Sequence, residues 1–148
     1  MAATATSAPL LDEQICFALY SASRALTARY RELLRPLGVT YPQYLVLLVL
    51  WEGEPITVTE IGQRLHLDSG TLSPLLRRLE SAGLILRTRR LDDERTVDVT
   101  LTPAGEDLQM LAAGIPDQVC IATGFEIEQI GALRRQVTAL AAHARGCH

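Results

Sequence analysis

In "QICFALYSASRALTARY", Cys16 is followed by Tyr20 and Tyr30, and the apolar spacing predicts a helix. At about 100° per residue, Cys16, Tyr20, Ser23, Thr27 and Tyr30 share a narrow wedge of one helix face. A thiolate attacks electrophilic oxygen or sulfur, and phenolic O–H donors favour that anion. A place in the first turn of a helix acts in the same direction. Asp12 and Glu13 oppose it unless solvent screens them. Cys16 and Tyr30 lie about 21 Å apart along a helix rising ~1.5 Å per residue. They cannot touch within one straight helix. In an antiparallel pair of chains, Tyr30 of one can lie over Cys16 of the other, and Tyr20 could reach from either. An arbitrary free cysteine is more often a buried, inert hydrophobe; the tyrosine spacing weighs against that here.

Cys120 falls on a second predicted helix, and Cys147 stands in the terminal "RGCH" with no role assigned. Three Cys and three His raise the question of a metal, but no CxxC or HxxxH pair occurs. No glycine-rich phosphate loop or Ser-His-Asp context is visible. No metal, no cofactor and no enzymatic activity are therefore expected.

The elements that must carry these residues follow from periodicity and caps. A long amphipathic helix is predicted over 11–35, ending before "RPLG". A buried helix follows Pro42 and closes at Gly53 and Pro55. Thr57 with Glu60 is a capping-box signature for a short helix over 58–65. A second helix, capped by Asp68 or Ser69 and stopped by Gly83, contains Pro74. "LILRTRR" and "TVDVTLT" alternate as strands around the polar turn "LDDE", predicting a hairpin over 84–101. Thr102-Pro103 opens a long helix to about 122 in which Gly114 and Pro116 favour a bend, and a final amphipathic helix follows Gly124.

A helix pair followed at once by a hairpin is the winged helix-turn-helix arrangement, whose DNA-binding forms lay the second helix in the major groove. That helix presents Ser69, Thr71 and Ser73 near its start and Arg77 and Arg78 two turns on. The hairpin adds Arg87, Arg89 and Arg90 on one arm and Arg95 at its tip. Asp93 is expected to brace Arg95. All 14 basic residues are arginine, the better residue for forked contacts to phosphate or guanine. Net charge is −3, so any DNA contact must rest on the locally positive stretch 64–95.

The longest apolar run, "YLVLLVLW", is far short of the ~20 residues that cross a bilayer, so no membrane association is expected. "MAATATSAP" lacks the pattern of a secretory signal; a disordered tail over 1–9 and a cytoplasmic location are expected. The domain reading is one continuous fold, mainly α with a small β-hairpin wing. A lobe over 37–102 is flanked by dimerisation helices at 10–36 and 103–145, since their apolar stripes need a second copy to cover them.

From about Leu10 to Ala144 the chain resembles the MarR family of winged-helix repressors, and "LHLDSGTLSPLLRRLESAGLILRTRRLDDERTVDVTLTPAG" is similar to that family's signature. "LDSGTLSPLLRRLE" together with "QICFALY" resembles, more narrowly, the organic-hydroperoxide-sensing repressors. The resemblance implies a homodimer that binds pseudo-palindromic operator DNA and is released by an organic hydroperoxide. Cys16 would be the reactive thiol, Tyr20 and Tyr30 its partners across the dimer, and Cys120 the resolving thiol of the two-cysteine branch. Two other readings are weighed: a family member released by a small aromatic ligand, and a thiol peroxidase.

Overall fold

The computed structural model describes residues 8–147. The tail expected at 1–9 lies almost wholly outside the described residues. The chain is mostly helical: α1 Ile15–Leu34, α2 Tyr41–Glu52, β1 Ile56–Thr57, α3 Val58–Leu65, α4 Ser69–Ser81, β2 Ile85–Arg89, β3 Val97–Leu101, α5 Pro103–Ala112, α6 Ile115–Thr123 and α7 Ile127–Gly146. No single helix among the described residues is long and apolar enough to cross a membrane.

The chain divides into two compact units. One runs from Arg31 to Gln118, and the other joins the described residues up to Tyr30 with those from Val119 onward. The first is wider than the lobe read from sequence at 37–102. Its core explains why: Leu34, Ala112 and Ile115, outside those bounds, are all buried.

In the Arg31–Gln118 unit, α2 is apolar on nearly every side and buries Tyr44, Val46, Leu47, Val49 and Leu50. Thr40 caps it in a full capping box with Gln43. The expected box at Thr57 and Glu60 starts α3, which ends at His66 in the left-handed region. Asp68 caps α4, its Oδ1 accepting the Thr71 N–H at 2.7 Å. Four leucines at helical spacing, Leu72, Leu75, Leu76 and Leu79, turn α4 onto the core. Burying them contributes about 6–12 kcal/mol. That outweighs the roughly 3 kcal/mol cost of Pro74 inside the helix, so α4 runs through it.

The sheet has three antiparallel strands in the order β1-β3-β2, with Ile56 opposite Val99, Arg87 opposite Val99 and Arg89 opposite Val97. The hairpin over 84–101 is present as expected. Strand β1 was not read from sequence, because two residues are too short to show an alternation. The helix expected from 102 to 122 is two helices: α5 ends at Ala112 and α6 begins at Ile115. Gly114 offers little against breaking there, and Pro116 cannot donate to the preceding turn. Thr102 caps α5 through the Gly105 N–H at 3.1 Å and donates to the Gly83 carbonyl at 2.6 Å. Trp51 Nε1 donates to the Gly105 carbonyl at 3.0 Å, and the Leu101 N–H donates to the Glu54 carboxylate. These bonds seat the hairpin's base against α2 and α5.

The second unit lacks a core of its own. Among its described residues only Val119 is buried. Helix α7, 20 residues long, buries none, and Ile127, Leu133 and Leu140 are exposed along it.

Candidate nucleic-acid interface and sensing thiol

Helix α4 and the hairpin form one continuous surface. Ser69, Thr71, Ser73, Arg77 and Arg78 are all exposed on α4, opposite its leucine stripe. Among the described residues, the guanidinium groups of Arg77, Arg78 and Arg95 make no ion pair or hydrogen bond, so they are available to a ligand. A concavity between helix and wing is lined by Ser73, Leu76, Arg87, Arg90, Arg95 and Thr96. It brings residues from both predicted contact elements together.

The arginines of the hairpin arm differ from that free set. The Glu80 carboxylate accepts the Arg87 backbone N–H at 3.0 Å and the Arg87 guanidinium at 3.1 Å. Hydrogen bonding from the Arg87 side chain holds the Glu80 carboxyl below its ordinary value. Arg90 Nε donates to Asp98 Oδ2 at 3.0 Å, and that bond raises the Arg90 pKa further. Arg89 Nη1 donates to the Glu94 carbonyl at 3.1 Å. Arg87 and Arg90 thus hold the wing's shape, and Arg89 ties its loop.

Asp93 braces the tip, but not as expected. Its carboxylate accepts the Arg95 backbone N–H at 3.1 Å and the Thr96 hydroxyl at 2.9 Å, and it does not grip the Arg95 guanidinium. The Thr96 hydroxyl, then the Arg95 N–H, hold its carboxyl below the ordinary value. The loop is fixed while the Arg95 side chain stays free. Glu80, Thr96 and Asp98 were missed in sequence. The Asp93-to-Thr96 spacing of a side-chain-capped turn was the one legible signal.

In the other unit, Cys16 is the second residue of α1 and exposed, in the turn where the helix dipole favours an anion. Asp12 and Glu13 lie in a 3-10 turn over Leu11–Glu13 and are both exposed, so solvent screens them. Tyr20, one turn along, is exposed, and the Arg24 guanidinium sits 5.5 Å from its ring centroid. Tyr30 is half-buried. Because α1 is a single helix over this span, Cys16 and Tyr30 of one chain are about 21 Å apart at ~1.5 Å per residue. Cys120 is half-buried on α6, and its carbonyl accepts the Thr123 hydroxyl at 2.6 Å. Cys147 is exposed after α7. No cluster of His, Cys, Asp and Glu among the described residues could hold a metal ion.

Comparison with known proteins decides the family. A family model described as the MarR family matches residues 39–97. An organic hydroperoxide resistance transcriptional regulator of Bacillus subtilis (strain 168) is 50% identical over 109 residues, 74% of each chain. The chain belongs to the MarR family. Two solved structures of AbfR, a protein of Staphylococcus epidermidis, are similar to this MarR-family chain. Reduced AbfR bound to DNA matches with 35% identity and a TM-score of 0.76, over 90% of this chain and 94% of that one. Disulfide-formed AbfR matches with 36% identity and a TM-score of 0.65, over 88% and 92%. The winged-helix fold expected from sequence is the fold of this family.

Proposed function

We propose that this MarR-family regulator is a homodimeric repressor that binds double-stranded operator DNA and releases it when an organic hydroperoxide oxidises Cys16. The observation that carries this reading is the exposed Cys16 in the first turn of α1, within a unit that lacks a core. A second copy laid against that unit would cover Ile127, Leu133 and Leu140 and bring the partner's Tyr30 toward Cys16. Similarity to a regulator named for organic hydroperoxide resistance, and to a protein solved reduced on DNA and, separately, in a disulfide form, supports the same reading.

The chemistry balances in two steps. The Cys16 thiolate attacks the peroxide oxygen distal to carbon, the O–O bond breaks, and the alkoxide takes a proton to leave as an alcohol. Cys16 becomes a sulfenic acid. The Cys120 thiolate of the partner chain then attacks that sulfur, and the hydroxyl leaves as water with one proton. The resulting intersubunit disulfide changes how the copies pair and so the spacing of the two α4 helices, which must match half-sites about one DNA turn apart. DNA would be held by Ser69, Thr71, Ser73, Arg77 and Arg78 of α4 and by Arg95 of the wing, with Arg87, Arg89, Arg90 and Asp93 shaping the hairpin. A reducing cytoplasm would keep the thiols poised.

The test is DNA binding with and without cumene hydroperoxide, alongside non-reducing gels of wild type, Cys16→Ser and Cys120→Ser. Wild type should release DNA and cross-link, Cys16→Ser should do neither, and Cys120→Ser should not cross-link. An undiminished response in Cys16→Ser sinks the thiol mechanism and favours release by a small ligand.

A further inference from the structure

Leu91 is the most exposed large apolar side chain among the described residues, at 104% of its reference area. It opens the wing loop 91–95, which is closed by the Arg90 N–H donating to the Thr96 carbonyl at 2.9 Å. Arg95 ends that loop, so Leu91 and Arg95 are the next rung beyond the closing pair.

The bare leucine is not on a slack loop. Besides the two bonds that Asp93 accepts through its carboxylate, its carbonyl accepts the Thr96 N–H at 2.9 Å. Charge alone does not draw this tip to DNA either. Arg87, Arg89, Arg90 and Arg95 are matched by Asp92, Asp93, Glu94 and Asp98, and Arg87 and Arg90 are already paired. What the tip offers is one free guanidinium and one naked isobutyl group, at facing positions of the loop just beyond its closing bond.

That pair suits the minor groove. Arginine favours the narrow groove of A·T-rich DNA. Its floor shows only acceptors at A·T, while G·C adds the guanine 2-amino donor, and apolar side chains are frequent wedges there. A leucine pressed onto that amino group buries a donor with no acceptor. We propose that Leu91 is a specificity-determining residue of the DNA contact, entering the minor groove beside Arg95 and selecting against guanine beneath the wing tip. The proposal rests on the DNA-binding reading above.

The experiment starts with duplexes recovered by the wild-type full-length chain from a random-sequence pool, with the wing positions mapped by hydroxyl-radical protection. At those positions A·T pairs are replaced by G·C and by I·C, which keeps the major-groove edge of G·C but lacks the 2-amino group. Wild type should bind the G·C duplex about five- to tenfold more weakly and recover on I·C. Leu91→Ser should lose most of the G·C-to-I·C difference while keeping its salt dependence, whereas Arg95→Ala should lower the salt slope by about one. Leu91 packs on nothing, so the variant's folding is not at issue. Wild-type affinity and undiminished base preference in Leu91→Ser overturn the proposal. Recovery of no duplex by wild type overturns the DNA-binding reading itself, and this role with it.

Discussion

Glu80 on α4 and Arg87 on β2 are joined by both the backbone and the side chain of the arginine, at 3.0 Å and 3.1 Å. The helix and the wing are therefore clamped at one angle. Two effects of removing Glu80 have opposite signs on DNA. Losing an acid from the binding face should tighten binding by electrostatics alone. Losing the clamp should weaken it, because wing and helix must engage together. The clamp also satisfies a backbone N–H that would otherwise be left partly buried. Glu80→Ala is expected to bind DNA about three- to tenfold more weakly, with the salt slope unchanged. Titration by fluorescence anisotropy at several salt concentrations checks both.

Acid should loosen the same region. The carboxyls of Glu80, Asp68 and Asp93 are held below ordinary values of 4.5, 3.8 and 3.8 by bonds from Arg87, Thr71 and Thr96. A carboxyl lowered in the folded state binds fewer protons there than in the unfolded chain. Its stabilisation is full above the ordinary value and is lost as pH falls through the lowered one. Thermal unfolding midpoints should therefore fall from about pH 4.5 downward, and less steeply in a Glu80→Gln, Asp93→Asn double variant. Circular dichroism melts across that window make the comparison.

Much of this was legible in the residue order, for physical reasons that differ by element. The capping box of Thr57 and Glu60, the Asp68 cap and the hairpin are local in sequence, so spacing reveals them. Strand β1 was not, being too short, and of the break between α5 and α6 only a bend at Gly114 and Pro116 could be read, because the apolar pattern runs on through it. The contact set was read as nine interchangeable arginines and hydroxyls plus one bracing acid. The division of labour between free Arg95 and clamped Arg87 depends on Glu80 and Asp98, which only tertiary pairing brings near. That Cys16, Tyr20 and Tyr30 share one face of α1 was legible because their spacing is helical, while a joint role for them is what the family resemblance implies.

Gly105 was passed over in sequence, yet it is where α5 meets the hairpin's base. A Cβ there would stand 2.1 Å from the Leu84 carbonyl oxygen, a backbone atom that cannot swing aside. Gly105→Ala should cost about 1–3 kcal/mol through forced backbone movement. At Gly114 the nearest atom to a Cβ is the flexible end of Gln118, 3.9 Å away. Gly114→Ala should be neutral. Urea unfolding of the two variants, with equal m-values, separates a local clash from a general intolerance of added methyl groups.

The last prediction concerns which chain supplies the phenol. Cys16 and Tyr30 of one chain are separated by most of α1, so a site containing both must draw on two copies. Mixed dimers decide this. One chain carries Cys16→Ser with Tyr30 intact, and the other carries Tyr30→Phe with Cys16 intact. If the site is shared, one of the two sites in the mixed dimer is fully wild type, pairing the intact thiol with the other chain's Tyr30. The mixed dimer should then oxidise with the wild-type rate at half the wild-type amplitude. If each site were built within one chain, the remaining thiol would face only phenylalanine and react at the slow rate of the Tyr30→Phe homodimer. Stopped-flow loss of free thiol after adding cumene hydroperoxide distinguishes the two by amplitude and rate together, and the slow outcome would refute the shared site.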